Sequence, residues 1–159
     1  APGRDEAALA RSIEALAATL APARSAGLRL RRVGRFLALV PEDGEEAIGQ
    51  VADALVARLD AFRAPASEAE LARRRAAGLS AEEEANLARW GYPYVMGAFR
   101  FHVTLTGPLG EGEAERVEAA LAPELAGLPL APFVLDALAY VVEGEDGTFR
   151  VHRRYPLAG

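Results

Sequence analysis

Near the start of the chain, apolar residues recur at helical spacing. Leu9, Ile13, Leu16, Ala17 and Leu20 fall at i, i+4, i+7, i+8 and i+11, which predicts an amphipathic helix over Asp5 to Leu20. Asp5 suits its N-cap, and Pro22 stops the run. Two short β-like runs, Leu28 to Val33 and Phe36 to Val40, flank Gly34 and end at Pro41. A second helix is predicted from about Glu45 to Phe62, with Ile48, Val51, Ala52, Leu55, Val56, Leu59 and Phe62 on one face.

The pattern changes between Ala64 and Ala98. Ser67 with Glu70, and Ser80 with Glu83, carry the capping-box signature of two short helices. Gly78 and Gly91 stand where C-terminal caps belong. This stretch reads as a helical insert between two halves of one domain. A strand over 99–105 follows, then the turn Gly107-Pro108 and a helix from about Glu113 to Ala122. Phe133 to Val142 and Thr148 to His152 close the chain as a hairpin around Gly144-Glu145-Asp146-Gly147.

Two stretches share an order. Ala1-Pro2-Gly3 leads into a helix and two strands, and Gly107-Pro108-Leu109-Gly110 does the same. The duplication predicts an α+β domain of two similar lobes of antiparallel sheet flanked by helices. The lobes would occupy about 1–63 and 99–159, with the insert over 64–98. The second copy has a strand carrying His102 before its turn, so the matching strand of the first copy is expected upstream of Ala1.

Composition narrows the chemistry. At 159 residues, 51% of them hydrophobic and 26% charged, the chain has the profile of one globular domain. No run approaches the roughly 18 apolar residues of a membrane span, and no signal-peptide pattern opens the chain. Cysteine is absent, which removes disulfides and thiolate chemistry and makes the cytoplasm the expected compartment. All 18 basic residues are arginine. The chain therefore holds neither a P-loop, whose lysine reaches the phosphates, nor a lysine Schiff base. The net charge of −5 argues against a nucleic-acid partner. Oligomeric state is left open.

The segment Phe99 to Leu109, FRFHVTLTGPL, carries the chemistry. Alternation along a strand puts Phe99, Phe101, Val103 and Leu105 on an apolar face expected to enter the core. Arg100, His102, Thr104 and Thr106 share the other face. Imidazole exchanges protons near neutral pH, hydroxyls donate to phosphoryl oxygens, and a guanidinium offsets negative charge. An edge strand with a solvated polar face would account for the alternation alone.

His102-Val103-Thr104-Leu105 resembles the histidine, hydrophobic, Ser/Thr, hydrophobic signature of the two-histidine (2H) phosphoesterase superfamily. The longer stretch Arg89 to Leu109, RWGYPYVMGAFRFHVTLTGPL, resembles the second motif of a branch linked to phosphonate metabolism. The similarity runs over essentially the whole chain. It implies hydrolysis or transesterification of cyclic phosphates and related phosphodiesters, with no metal and no cofactor. One histidine would act as general base and the other would protonate the leaving oxygen. Carried over by position, His102 is one catalytic histidine and Thr104 its phosphate-binding partner. Arg100 and Thr106 join the substrate-binding set from the shared face. A small phosphorylated substrate is the expected partner.

This sequence departs from the two-motif pattern, because the only other histidine, His152, has Arg154 two residues on rather than Ser or Thr. His152 therefore reads as a surface strand residue. Arg73-Arg74-Arg75 reads as a solvated helix face. Arg29 and Arg31 fit either the opposite wall of a groove or protection of a sheet edge. Tyr94, with Trp90 and Tyr92, fits stacking on a base or sugar, or the packing of the insert. Two rival functions remain: a non-catalytic module that binds a phosphorylated ligand, and an RNA-end cyclic phosphodiesterase.

Overall fold

A computed structural model of the chain describes residues 6–110 and 112–159. The expected Asp5 cap, the Ala1-Pro2-Gly3 turn and Glu111 lie outside the described residues. The elements in chain order are α1 (Glu6–Ala17), β1 (Ala23–Ser25), β2 (Leu28–Val33), β3 (Phe36–Pro41), α2 (Glu45–Leu59), α3 (Glu68–Arg75), α4 (Ala81–Trp90), β4 (Val103–Thr104), α5 (Glu113–Ala126), β5 (Phe133–Leu135), β6 (Ala137–Glu143) and β7 (Phe149–Pro156). Two 3₁₀ turns, Asp60–Phe62 and Met96–Ala98, complete the order. Every strand pair is antiparallel, so the class is α+β as expected. No helix among the described residues is long and apolar enough to cross a membrane.

The chain forms two compact units, each gathered from separate stretches of sequence. One comprises Ala23–Ile48 and Arg100–Leu135; the other comprises the described residues of Ala1–Pro22 with Gly49–Phe99 and Asp136–Gly159.

In the first unit, β2, β3 and β4 form a sheet in that order, and β1 pairs with β5. Val33 pairs with Phe36, so β2 and β3 join through the two-residue turn Gly34-Arg35. Gly34 supplies the positive φ, 58°, that such tight hairpins require. Leu28, Leu30, Arg32, Leu37 and Leu39 share one face of this sheet by register. Helix α5 packs on β2 and β3. Arg32 on that face approaches Glu115 of α5 at 3.7 Å, which fixes the side that α5 covers. Leu37 and Ala38 are fully buried. Ser25 is buried but satisfied: its hydroxyl donates to Gly27 O at 2.8 Å, and Asp43 Oδ1 accepts from Ala26 N at 2.7 Å. Gly44, at φ 71°, lets the chain pass the Arg24 carbonyl where any Cβ would collide with it.

In the second unit, α1 packs on the β6–β7 hairpin, burying Ile13, Leu16 and Ala17 with Leu138, Tyr155 and Leu157. Helices α3 and α4 follow each other through Ala76 to Ser80. Ser80 forms a full capping box with Glu83, and Gly91 ends α4 at φ 72°. Ser67 accepts from Glu70 N, but the Glu70 carboxylate is drawn to Arg74 at 3.2 Å instead of turning back to its own cap.

Three expected elements need correction. The strand over 99–105 shrinks to Val103–Thr104, and Val103, expected in the core, is 42% exposed. Its N-terminal half is diverted by a 3₁₀ turn, by stacking of Phe101 on Phe133 at 5.4 Å, and by a bond from the His102 side chain back to the Arg100 carbonyl. The strand expected over Phe133 to Val142 divides at Asp136: β5 pairs with β1, while β6 pairs with β7, which itself runs on to Pro156. Helix α5 continues to Ala126 through Pro123, since a proline removes only one intrahelical bond when its surroundings hold the helix together. Strand β1 was not evident from its three residues.

Candidate active site

The β3–β4 register sets the site. Thr104 pairs with Ala38, and Ala38 pairs on its other side with Arg31. Arg31, Ala38 and Thr104 thus form one row across three strands, on the face opposite α5. Two strand spacings separate Arg31 from Thr104, about 10 Å. Arg29, paired with Val40, shares that face. Arg29 and Arg31 are exposed and have no ion-pair partner among the described residues. The two arginines therefore belong to the face that carries Thr104, rather than to a facing wall. Sequence alternation could not reveal this, because it depends on pairing between residues some seventy positions apart.

His102 lies just before β4 and is exposed. Its ring packs against Phe36 at 5.7 Å, with an interplanar angle of 35°. Phe36 alternates with Ala38 along β3, so the imidazole lies on the same face as Thr104. His102 Nδ1 is 2.8 Å from Arg100 O. A carbonyl oxygen can only accept, so Nδ1 carries the proton in this bond. In the neutral ring, Nε2 then holds the free lone pair. A histidine oriented in this way can take a proton at Nε2 and later return it. The Thr104 hydroxyl is exposed and has no partner among the described residues, which leaves it available to an incoming oxygen acceptor.

The remaining expected residues separate. Arg100 is exposed, and its backbone carbonyl, rather than its guanidinium, is what the structure ties to His102. Thr106 accepts a bond from Leu37 N at 3.0 Å and donates to Gly107 O at 2.9 Å, so its hydroxyl is committed to the backbone. Tyr94 belongs to the other compact unit, beside Tyr92.

His152 is also in that other unit, at a bulge in the hairpin: Tyr140 pairs with Arg153 and Val141 with Val151. Its Nε2 is 3.8 Å from Glu6 Oε1, and its ring meets Tyr140 edge-on. Arg73, Arg74 and Arg75 pair with acidic neighbours: Arg73 and Arg74 with Glu70, and Arg75 with Glu84 of α4 through both carboxylate oxygens. That bond raises the pKa of Arg75 and lowers that of Glu84. Trp90 lies under the Arg89 guanidinium at 4.5 Å. Among the described residues, no three His, Asp or Glu gather as metal ligands.

The class is fixed by comparison with protein families. Residues 1–150 match the family described as protein of unknown function (DUF1045), and the chain belongs to it. Its similar curated relatives include a protein named ribose 1,5-bisphosphate phosphokinase PhnN from Janthinobacterium sp. (strain Marseille). That protein is 39% identical over 137 residues, which cover 83% of this chain and 30% of the relative. A protein of the same name from Laribacter hongkongensis (strain HLHK9) is 37% identical over 146 residues, 91% of this chain and 32% of the relative. The chain thus spans about a third of the length of the curated relatives it matches. No solved structure matches.

Proposed function

We propose that this chain carries one half of the active site of a metal-independent phosphodiesterase of the 2H type, acting on a small cyclic or sugar phosphate. The observation that supports this reading best is the bond from His102 Nδ1 to Arg100 O, which directs a basic Nε2 outward two residues before an unpartnered Thr104 hydroxyl. In the proposed reaction, Nε2 accepts the proton of a water as its oxygen bonds to phosphorus. The ester P–O bond then breaks, and the leaving oxygen takes a proton from a second acid. The resemblance assigns that acid to the other H-x-T motif. Thr104 donates to a non-bridging oxygen, while Arg31 and Arg100 offset the phosphoryl charge. Thr106 acts by positioning, since it holds the segment to β3.

The name of the relatives concerns a ribose bisphosphate, which favours a phosphorylated pentose as substrate, and the resemblance favours a setting in phosphonate metabolism. Their phosphokinase activity is not carried over. The name belongs to proteins about three times as long, and this chain has no lysine with which to build a P-loop.

The test is turnover of ribose cyclic phosphates by the natural polypeptide in EDTA, beside His102→Ala. Loss of a general base should lower kcat by about 10²–10⁴-fold. Unchanged turnover in the variant would refute the role of His102, and loss of activity in EDTA would refute the metal-free mechanism. Saturable binding of the substrate without turnover would favour the non-catalytic module.

A further inference from the structure

A cavity of about 280 Å3 lies within the second unit and is lined by none of the residues given a part in the proposed reaction. Leu55 and Val56 of α2 form one wall; Tyr92, Tyr94 and Met96, from the segment after α4, form the other. Asn86 holds that segment in place by donating to the carbonyls of Pro93 at 3.2 Å and Val95 at 2.9 Å. Met96 is held at φ 51°, a left-handed conformation unusual for a residue with a side chain, which often marks a functional wall. The two tyrosines are 39% and 42% exposed, and their rings meet at 80° with centroids 5.7 Å apart. Asp53 also lines the cavity. Its Oδ1 is buried and receives no hydrogen bond from any described residue.

A buried carboxylate oxygen without a donor is costly, and an N–H or O–H from a ligand would remove the cost. The rest of the lining limits what that ligand can be. Apolar walls would strip the hydroxyls of a sugar, or the oxygens of a phosphate, without replacing their hydrogen bonds. An organic cation would meet Arg74, whose guanidinium already lies 4.6 Å over the Tyr92 ring. A flat, neutral ring bearing an N–H satisfies all three constraints: the apolar walls, the tyrosine faces and the single acceptor.

We infer that this cavity is a binding site for a nucleobase, seated against Tyr94 and donating an N–H to Asp53. It is independent of the proposed phosphodiesterase reaction and is read without turnover.

The test is titration of the protein with guanosine and adenosine, followed by tyrosine fluorescence and by chemical shifts of the 92–99 segment. Saturable binding is expected. Asp53→Leu and Tyr94→Ala should each weaken it about tenfold or more. Val56→Phe, which fills the cavity and leaves the carboxylate intact, should also abolish binding and covers the case in which Asp53→Leu fails to fold. Three results would overturn the assignment: no saturation by either nucleoside, saturation that all three variants leave unchanged, or displacement of the nucleoside by choline or ribose 5-phosphate. The last would identify a cation or sugar site instead.

Discussion

Thr106→Val tests whether the hydroxyl of this residue serves the backbone or a substrate. Valine keeps the shape of threonine and removes only its hydrogen bonding. Two bonds are lost, the one accepted from Leu37 N and the one donated to Gly107 O. Gly107 is exposed, so water replaces the second at little cost. Leu37 is fully buried, so its amide is left without an acceptor, a loss of about 1–3 kcal/mol. For a chain of this size each kcal/mol moves Tm by roughly 2–4 °C, so a fall of roughly 2–12 °C is expected. Thr106→Ser keeps both bonds and should stay within about 1 kcal/mol of the parent. Thermal unfolding of the three proteins measures this, and hydrogen exchange at the Leu37 amide locates it. Two results would refute the argument. One is equal stability of the valine and serine variants with unchanged exchange at Leu37. The other is a raised KM for a phosphate substrate at unchanged stability, which would mean that the hydroxyl contacts the ligand directly.

Other perturbations test the packing around the two units. Leu87, buried in α4, should cost about 2–5 kcal/mol on truncation to alanine, seen as a lower urea midpoint. Ser80→Ala removes the bond that the Ser80 hydroxyl accepts from Glu83 N and should cost about 1 kcal/mol, read as lost helical signal, as should Ser67→Ala; the bond from Ser80 N to the Glu83 carboxylate survives the change. Glu84 has its pKa held below the ordinary 4.5, chiefly by its hydrogen bond with Arg75. Its stabilising contribution is therefore complete above that value and disappears as the pH falls through the lower folded one. Urea midpoints of the parent and Glu84→Gln should differ near neutrality and converge in acid; a gap that widens in acid would contradict the pairing.

Local signals in the sequence carried the helices. The stripe from Leu9 to Leu20 and the stripe from Ile48 to Leu59 each follow from spacing within one segment, and α1 and α2 form there. Ser80 with Glu83 marked the start of α4 for the same reason. Strand ends were less legible because partners far along the chain decide them. Phe133 to Val142 has one continuous apolar pattern, yet β1 takes its first three residues and β7 takes those after Asp136. Nothing near Asp136 in the sequence records that its two sides enter different units. Arg75 shows the opposite case: its charge run reads as a solvated face, but Glu84, nine residues on, makes it a tie between α3 and α4.

The four polar residues expected along one strand face illustrate what alternation can and cannot resolve. It placed Arg100, His102, Thr104 and Thr106 together as equivalent polar groups. The ladder, however, holds only Val103 and Thr104. Before it, the Arg100 carbonyl is left over from pairing and accepts the His102 Nδ1–H, which selects the tautomer. Within it, Thr104 points its hydroxyl away from α5 and keeps it unbonded. Beyond it, the Leu37 amide needs an acceptor, and the Thr106 hydroxyl supplies one. The shortness of β4 thus gives these neighbours different work: a carbonyl that orients, an imidazole that can exchange protons, a free hydroxyl and a structural one. Arg31 joins them only because β3 stands between it and Thr104 with the small residue Ala38 in the row. Ala38 is fully buried in that row, so a larger residue at position 38 would have to displace the groups packed over it and would disturb the spacing between the guanidinium and the hydroxyl. Whether charge from β2 stands beside Thr104, as the proposed reaction requires, is therefore set on β3, by a residue with no chemistry of its own.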